Sequence, residues 1–130
     1  MDLLERARCL TACSLFGSLA PAVVIRLAER ARADELDRGE RRSTADAVWI
    51  VARGSLAVGG SDDHAITAGH AAGVIRIVRP ETAAIDVIAR EPSALVGLAV
   101  DDVRDILEED PAALAAIADR LAALLLDDAP

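Results

Sequence analysis

A chain of 130 residues, 53% of them hydrophobic, is long and apolar enough to bury one core of its own. Its net charge is −8, and all 14 of its basic residues are Arg, a balance that argues against a nucleic-acid partner. No apolar run reaches the ~18 residues of a membrane span, so direct membrane insertion is not expected.

Charge is distributed unevenly. Residues 1–54 carry 9 Arg against 8 acids, and residues 55–130 carry 5 Arg against 14 acids. An acidic second half disfavours anionic ligands unless a local Arg overrides it.

In chain order, Leu3, Leu4, Ala7 and Leu10 recur at helical spacing over residues 2–13. Asp2, Glu5, Arg6 and Arg8 interrupt that stretch, so residues 1–20 do not read as a secretory signal. Leu15-Phe16-Gly17-Ser18-Leu19 breaks the helix, and Pro21 suits the first position of a second one. Its apolar face is Val23, Val24, Leu27 and Ala31, and Arg26, Glu29, Arg30 and Arg32 form its wet side.

From residue 33 the period changes. Residues 33–46 read as a polar stretch, with Arg38, Arg41 and Arg42 in a solvated loop. Ala47–Ala52, Ser55–Val58, Ala65–Thr67, Val74–Val78, Ala83–Ala89 and Ala94–Leu98 read as short strands. Gly59-Gly60-Ser61-Asp62-Asp63 reads as a hairpin loop, and His70 as a turn residue. Short strands with turn signals between them suggest a sandwich or jelly roll.

The end returns to helix. Asp101-Asp102 opens a short one through Leu107, and Asp110-Pro111 is an N-cap and first-turn pair for the last. Leu114, Ile117, Leu121, Leu124 and Leu125 then form one stripe, flanked by Ala113, Ala116, Ala118, Ala122 and Ala123. That stripe either packs on the β-domain or serves as an interaction helix, for a homodimer or for the rest of a larger chain.

Chemistry-bearing constellations are scarce. Cys9 and Cys13, four apart, share a helix face and read as ordinary thiols of a reducing compartment. His64 and His70 lie far from them, so no metal site is expected. There is no "G-x-S-x-G", and without Lys there is no "G-x-x-x-x-G-K". Asp62-Asp63, Asp101-Asp102 and Glu108-Glu109-Asp110 sit at loops and helix ends, so no enzyme is expected.

The order helix, β-roll, helices and several stretches resemble the cyclic nucleotide-binding domain family, the fold of the catabolite activator protein and of protein kinase A regulatory subunits. Cys13–Leu19 resembles the family's "x-x-L-F-x-x-L", and Asp46–Val58 its "D-x-x-Y-x-V-x-x-G-x-V-x-V" hairpin. Gly69-His70-Ala71-Ala72-Gly73 resembles the "G-D-x-x-G" frame, and Ser93–Leu98 followed by Asp101-Asp102-Val103 the last strand and the turn into helix. The resemblance implies a mainly β fold: a single domain over 1–130, with helices over 2–32, a jelly-roll β-roll over about 33–99 and C-terminal helices over about 101–126.

It also implies where a ligand would bind. The family's phosphate-binding cassette reads "F-G-E-hydrophobic … R-[ST]-A". Its Glu accepts from a ribose hydroxyl, its Arg pairs with the cyclic phosphate, and a short helix donates backbone N–H groups. Alignment on Gly73 puts Val74 at the Glu position and Ile75 after it; counting back from the last strand puts Ala83-Ala84 near the Arg-Ser/Thr positions. Neither Val nor Ala can meet the nucleotide, and Ile75-Arg76-Ile77-Val78-Arg79-Pro80 reads as strand rather than short helix.

The expectation is therefore a degenerate member that needs no cofactor: a non-catalytic regulatory or protein-interaction module. A cytoplasmic bacterial setting follows, in a larger protein such as a membrane transporter, to which it would be tethered. No helix-turn-helix is expected after residue 125. The alternative is a genuine sensor of cyclic AMP, cyclic GMP or another small ligand, with Arg76 or Arg79 as the displaced phosphate contact.

Overall fold

Asp2 starts the first helix: its carboxylate accepts the Glu5 N–H at 2.8 Å, and α1 runs over Leu3–Ala12. The structure, a computed structural model, describes residues 1–59 and 61–127, and for 61–63 and 125–127 the backbone alone. Pro21 opens α2 (Pro21–Arg30), whose Val23, Val24, Leu27 and Ala28 are buried. Eight strands follow: β1 (Arg32–Leu36), β2 (Arg41–Ser43), β3 (Val48–Arg53), β4 (Ser55–Val58), β5 (Ser61–Thr67), β6 (Ala71–Ala72), β7 (Asp86–Ala89) and β8 (Ser93–Leu98). A single-turn 3₁₀ helix, Val74–Ile77, lies between β6 and β7. The chain ends in α3 (Val100–Glu108) and α4 (Pro111–Asp127). As the Asp-Pro pair predicts, Asp110 caps α4 by accepting the Ala113 N–H at 3.1 Å.

The strands form two antiparallel sheets, β1-β8-β3-β6 and β2-β7-β4-β5, joined into a β-roll with four flanking α-helices. β3 and β8 are central. Val48 and Ile50 of β3, with Val96 and Leu98 of β8, face a core shared with Leu10, Phe16, Leu27, Ile106 and Ile117 of the helical layer. Trp49 and Val51, with Leu95, face a second core against Leu56 and Val87 of the other sheet. Helices, first sheet and second sheet are thus stacked layers, and the middle layer is apolar on both faces.

Trp49 is the hinge of that packing. It is 0% exposed, as is Phe16. Its Nε1 donates to the Ser43 carbonyl at 2.9 Å, which settles its one polar atom. Gly97 stands opposite it in the β3–β8 ladder; a Cβ there would lie 2.6 Å from Trp49 Cζ3. Arg32 sits over the ring at 5.3 Å from its centroid.

Several sequence expectations are corrected. The polar stretch 33–46 holds two strands, because β1 and β2 are edge strands whose outward residues are polar. Arg41 and Arg42 are therefore not loop residues. Arg42 bonds Asp34 through Nε at 2.7 Å and Nη2 at 3.2 Å, linking the two sheets, and holds the Asp34 carboxyl below its usual range. The 59–63 hairpin is tighter than expected, since Val58 already pairs with Ser61. The strand expected over Ala83–Ala89 begins only at Asp86, as β7, and Ile85 before it is exposed. Val74–Val78 is not a strand.

Two substitutions test the Trp49 packing by chemical denaturation. Trp49→Ala is expected to lose ~3–5 kcal/mol of stability. Gly97→Ala, which presses a methyl onto the ring, is expected to lose ~1–3 kcal/mol. Parental stability in both would contradict the β3–β8 register.

Candidate functional site

The segment between β6 and β7 is the part of the roll with the least secondary structure of its own, and both its ends rest on Thr44. Gly73 enters it with φ +84°, and a Cβ there would lie 3.0 Å from Thr44 Cβ, so Gly meets both the angle and the space. At the other end Thr44 and Ile85 exchange two bonds: Thr44 N–H to the Ile85 carbonyl at 2.9 Å, and Ile85 N–H to Thr44 Oγ1 at 2.8 Å. Thr44 itself is buried.

Between these ends, Val74, Ile75, Arg76 and Ile77 make the 3₁₀ turn, with Ile77 buried and the other three half-buried. The β-branched run 74–78 has strand propensity, but the left-handed Gly73 and the Arg76 N–H to Gly73 carbonyl bond at 3.1 Å wind it into a turn. A single turn of 3₁₀ helix thus stands where a strand was expected.

The two arginines of the segment behave differently. Arg76 turns inward: its Nη1 donates to the Thr82 carbonyl, and its Nε is buried with no hydrogen-bond partner among the described residues. Arg79 lies on the surface and pairs with Glu81 at 3.3 Å, both side chains 70% exposed. The Glu81 N–H first, and then Arg79, hold the Glu81 carboxyl below its usual range. Ala83 and Ala84 are exposed and outside any helix or strand. From the helical layer, Arg104 Nη1 donates to the Ile77 carbonyl at 2.7 Å.

Clefts indent the surface of the described residues, three of them as follows. One, ≈230 Å³, is lined by Ile77, Val78, Arg104, Leu107, Glu108 and Leu114, where the 3₁₀ turn meets α3 and α4. A second, ≈480 Å³, lies among Arg38, Ser55, Ala57, Ile88, Arg90 and Glu91. The third, ≈510 Å³, lies between α1 and β3 and includes Arg8, Cys9 and Val51. None of the three is lined by Gly73, Val74, Ile75, Ala83 or Ala84.

The stripe of α4 is divided. Ile117 and Leu121 are buried in the core of their own domain, and Leu124 packs partly against it. Leu114 is 41% exposed, and the Leu125 side chain lies outside the described residues. The Ala residues do not simply flank a free face, since Ala113 is itself core. Packing on the domain therefore accounts for the centre of the stripe. The expected interaction helix keeps Leu114 as its one large apolar residue exposed among those described.

Cys9 and Cys13 are free thiols. Burial, and then the neighbouring Cys13, push the Cys9 thiol up to about 11; burial also raises Cys13. Among the described residues no group of three His, Cys, Asp or Glu side chains could hold a metal. No helix among them is long and apolar enough to cross a membrane.

No family model and no curated relative matches the sequence. Solved structures do. A protein from Ruegeria pomeroyi, designated as cyclic nucleotide binding, superposes with a TM-score of 0.75 over 98% of this chain and 61% of its own, at 18% identity. The fold is that of the cyclic nucleotide-binding domains. A similarly designated protein from Geobacter metallireducens gives 0.78 over 98% of both chains, at 20% identity. The regulatory subunit of a cAMP-independent protein kinase A from Trypanosoma brucei gives 0.72 over 94% of this chain and 48% of its own, at 19% identity. The chain thus spans about three fifths of the Ruegeria protein and half of the Trypanosoma subunit.

Two outcomes are expected. With a pKa of about 11, roughly one Cys9 thiol in 1,000 is ionised at pH 8, so iodoacetamide should label it slowly, about tenfold faster per pH unit up to that value. Labelling at the rate of a free thiol at pH 8 would contradict its burial. Thr44→Val, which strips the Ile85 N–H of its acceptor, is expected to lower stability by about 1 kcal/mol, read by thermal denaturation.

Proposed function

We propose that the chain is a non-catalytic regulatory or protein-interaction module, a degenerate cyclic nucleotide-binding domain that has lost nucleotide binding. The observation that carries this reading is the charge of the 73–85 segment. Of its two cations, Arg76 is turned onto the Thr82 carbonyl and Arg79 is on the surface beside Glu81. Val74 offers no acceptor for a ribose hydroxyl, and Ala83 and Ala84 offer nothing to a phosphate.

The local sequence adds to this. Pro80-Glu81-Thr82-Ala83 contains the "[ST]-A" of the family's "R-[ST]-A" two residues before the Ala83-Ala84 placement, and there the cation's position is taken by Glu81. An ionised carboxylate at that place repels a cyclic phosphate. The Trypanosoma neighbour, a subunit of a cAMP-independent kinase, is a precedent for the fold without a cyclic AMP requirement.

We also read the module as part of a larger protein, for which the Ruegeria and Trypanosoma chains, both longer than this one, are the support. A bacterial membrane transporter is the setting we favour, with the module on its cytoplasmic side. Leu114, beside the cleft at Ile77 and Val78, is the point at which α4 would meet a partner or a second copy.

One observation favours the second reading, a sensor with a rearranged site: the buried Arg76 Nε lacks a partner among the described residues, so a shift of this side chain would free a cation for an anion. Calorimetry separates the two. Each charge-assisted hydrogen bond to a ligand is worth ~1.5–3 kcal/mol, and losing two takes a micromolar binder to roughly millimolar. Cyclic AMP and cyclic GMP at ~100 μM are expected to give no binding heat. A Kd of ~10 μM or tighter for either, abolished by Arg76→Ala, would establish the sensor instead.

A further inference from the structure

We infer that Arg76 and Arg104 act as built-in ligands of the 73–85 segment, holding it in one closed form without any bound anion. The inference deepens the reading of the module as independent of cyclic nucleotide, and rests on it.

A connection of this length with one turn of helix is expected to be mobile unless something ties it down. Four ties are spaced along this one. Gly73 abuts Thr44, Arg104 Nη1 holds the Ile77 carbonyl at 2.7 Å, Arg76 Nη1 holds the Thr82 carbonyl, and Thr44 holds Ile85 through two bonds. The outer two fix where the segment leaves and rejoins the roll. The inner two act beside the buried Ile77 side chain and the backbone bonds of the turn, and both are guanidinium groups donating to backbone carbonyls.

The chemistry of those carbonyls explains the choice. Ile77 ends the 3₁₀ turn, so its carbonyl has no onward helical partner and carries partial negative charge, which suits a cation. Thr82 lies in the irregular return toward β7, where no ladder partner takes its carbonyl. Arg76 reaches it from within the same segment and closes a ring over residues 76–82. A cation on a surface loop ordinarily stays in water; leaving Nε buried and unpaired is unfavourable, and the bond to Thr82 is what retains the side chain inside.

Arg104 also gives the closed form a connection. It belongs to α3, which is ion-paired to α2 through Arg30 and Asp102 at 3.2 Å, so the segment is tied to the helical layer and not to the roll alone. A partner that displaces α3 would release the segment, with no nucleotide involved.

Hydrogen exchange on the full chain without nucleotide tests this. In the parent, amides of 74–85 are expected to exchange at least tenfold more slowly than in Arg76→Gln or Arg104→Gln, while β3 and β8 keep their protection in both variants. Gln preserves much of the side-chain bulk; should either variant lose protection in β3 and β8 as well, Arg76→Lys and Arg104→Lys, which keep the charge, are expected to protect 74–85 at an intermediate level. Equal protection of 74–85 in parent and variants would overturn the inference. Calorimetry on the parent is read separately: nucleotide binding there overturns the proposed function, whereas loss of loop protection in the variants concerns the two arginines alone.

Discussion

Burial of the β3–β8 pair on both faces is the constraint from which the rest of the molecule follows. A strand with one wet face needs one packing partner; these two need a layer on either side. Val48 and Ile50 look toward the helices, and Trp49 and Val51 toward the second sheet. The helices at the two ends of the chain must therefore meet over one sheet, and α1, α2, α3 and α4 contribute Leu10, Leu27, Ile106 and Ile117 to one core. Trp49 occupies the other core only because Gly97 leaves its neighbour strand bare. The segment 73–85 is one of the connections between the two sheets: it leaves from β6 of one and returns to β7 of the other.

That placement makes the segment responsive in principle to both layers, and its polar contacts show how it is held. Thr44 belongs to the turn between β2 and β3, Arg104 to α3, and Arg76 to the segment itself. Each contact is a neutral or charge-assisted bond to backbone, a type whose geometry does not depend on a bound ion. The surrounding electrostatics point the same way. Residues 55–130 hold 14 acids against 5 Arg, and of those five Arg76, Arg104 and Arg120 donate to backbone carbonyls of their own chain.

The sequence made much of the fold legible because local signals and burial agreed. Pro21 and the Asp110-Pro111 pair mark helix starts by chemistry that acts within one turn. The 47–58 run reads as two strands because a doubly buried strand is continuously apolar and Gly54 breaks it. β1 and β2 were hidden by their exposure: edge strands with charged outward residues carry no apolar alternation. The 74–78 run misleads in the opposite way, since β-branched residues suggest strand while a left-handed Gly73, fitted against the distant Thr44, imposes a turn. The inward turn of Arg76 and the division of the α4 stripe were not legible, because both depend on which neighbours arrive from distant parts of the chain.

The claim at the centre of this account is that 73–85 is held rigid by Thr44, Arg76 and Arg104, with no bound ion. Backbone ¹⁵N relaxation on the nucleotide-free protein addresses it directly, with β3 and β8 as the internal reference. Order parameters near ~0.85 from Val74 through Ile85, matching those strands, are what the account predicts. Values below ~0.6 across Ile77–Thr82, in an otherwise rigid roll, would contradict it.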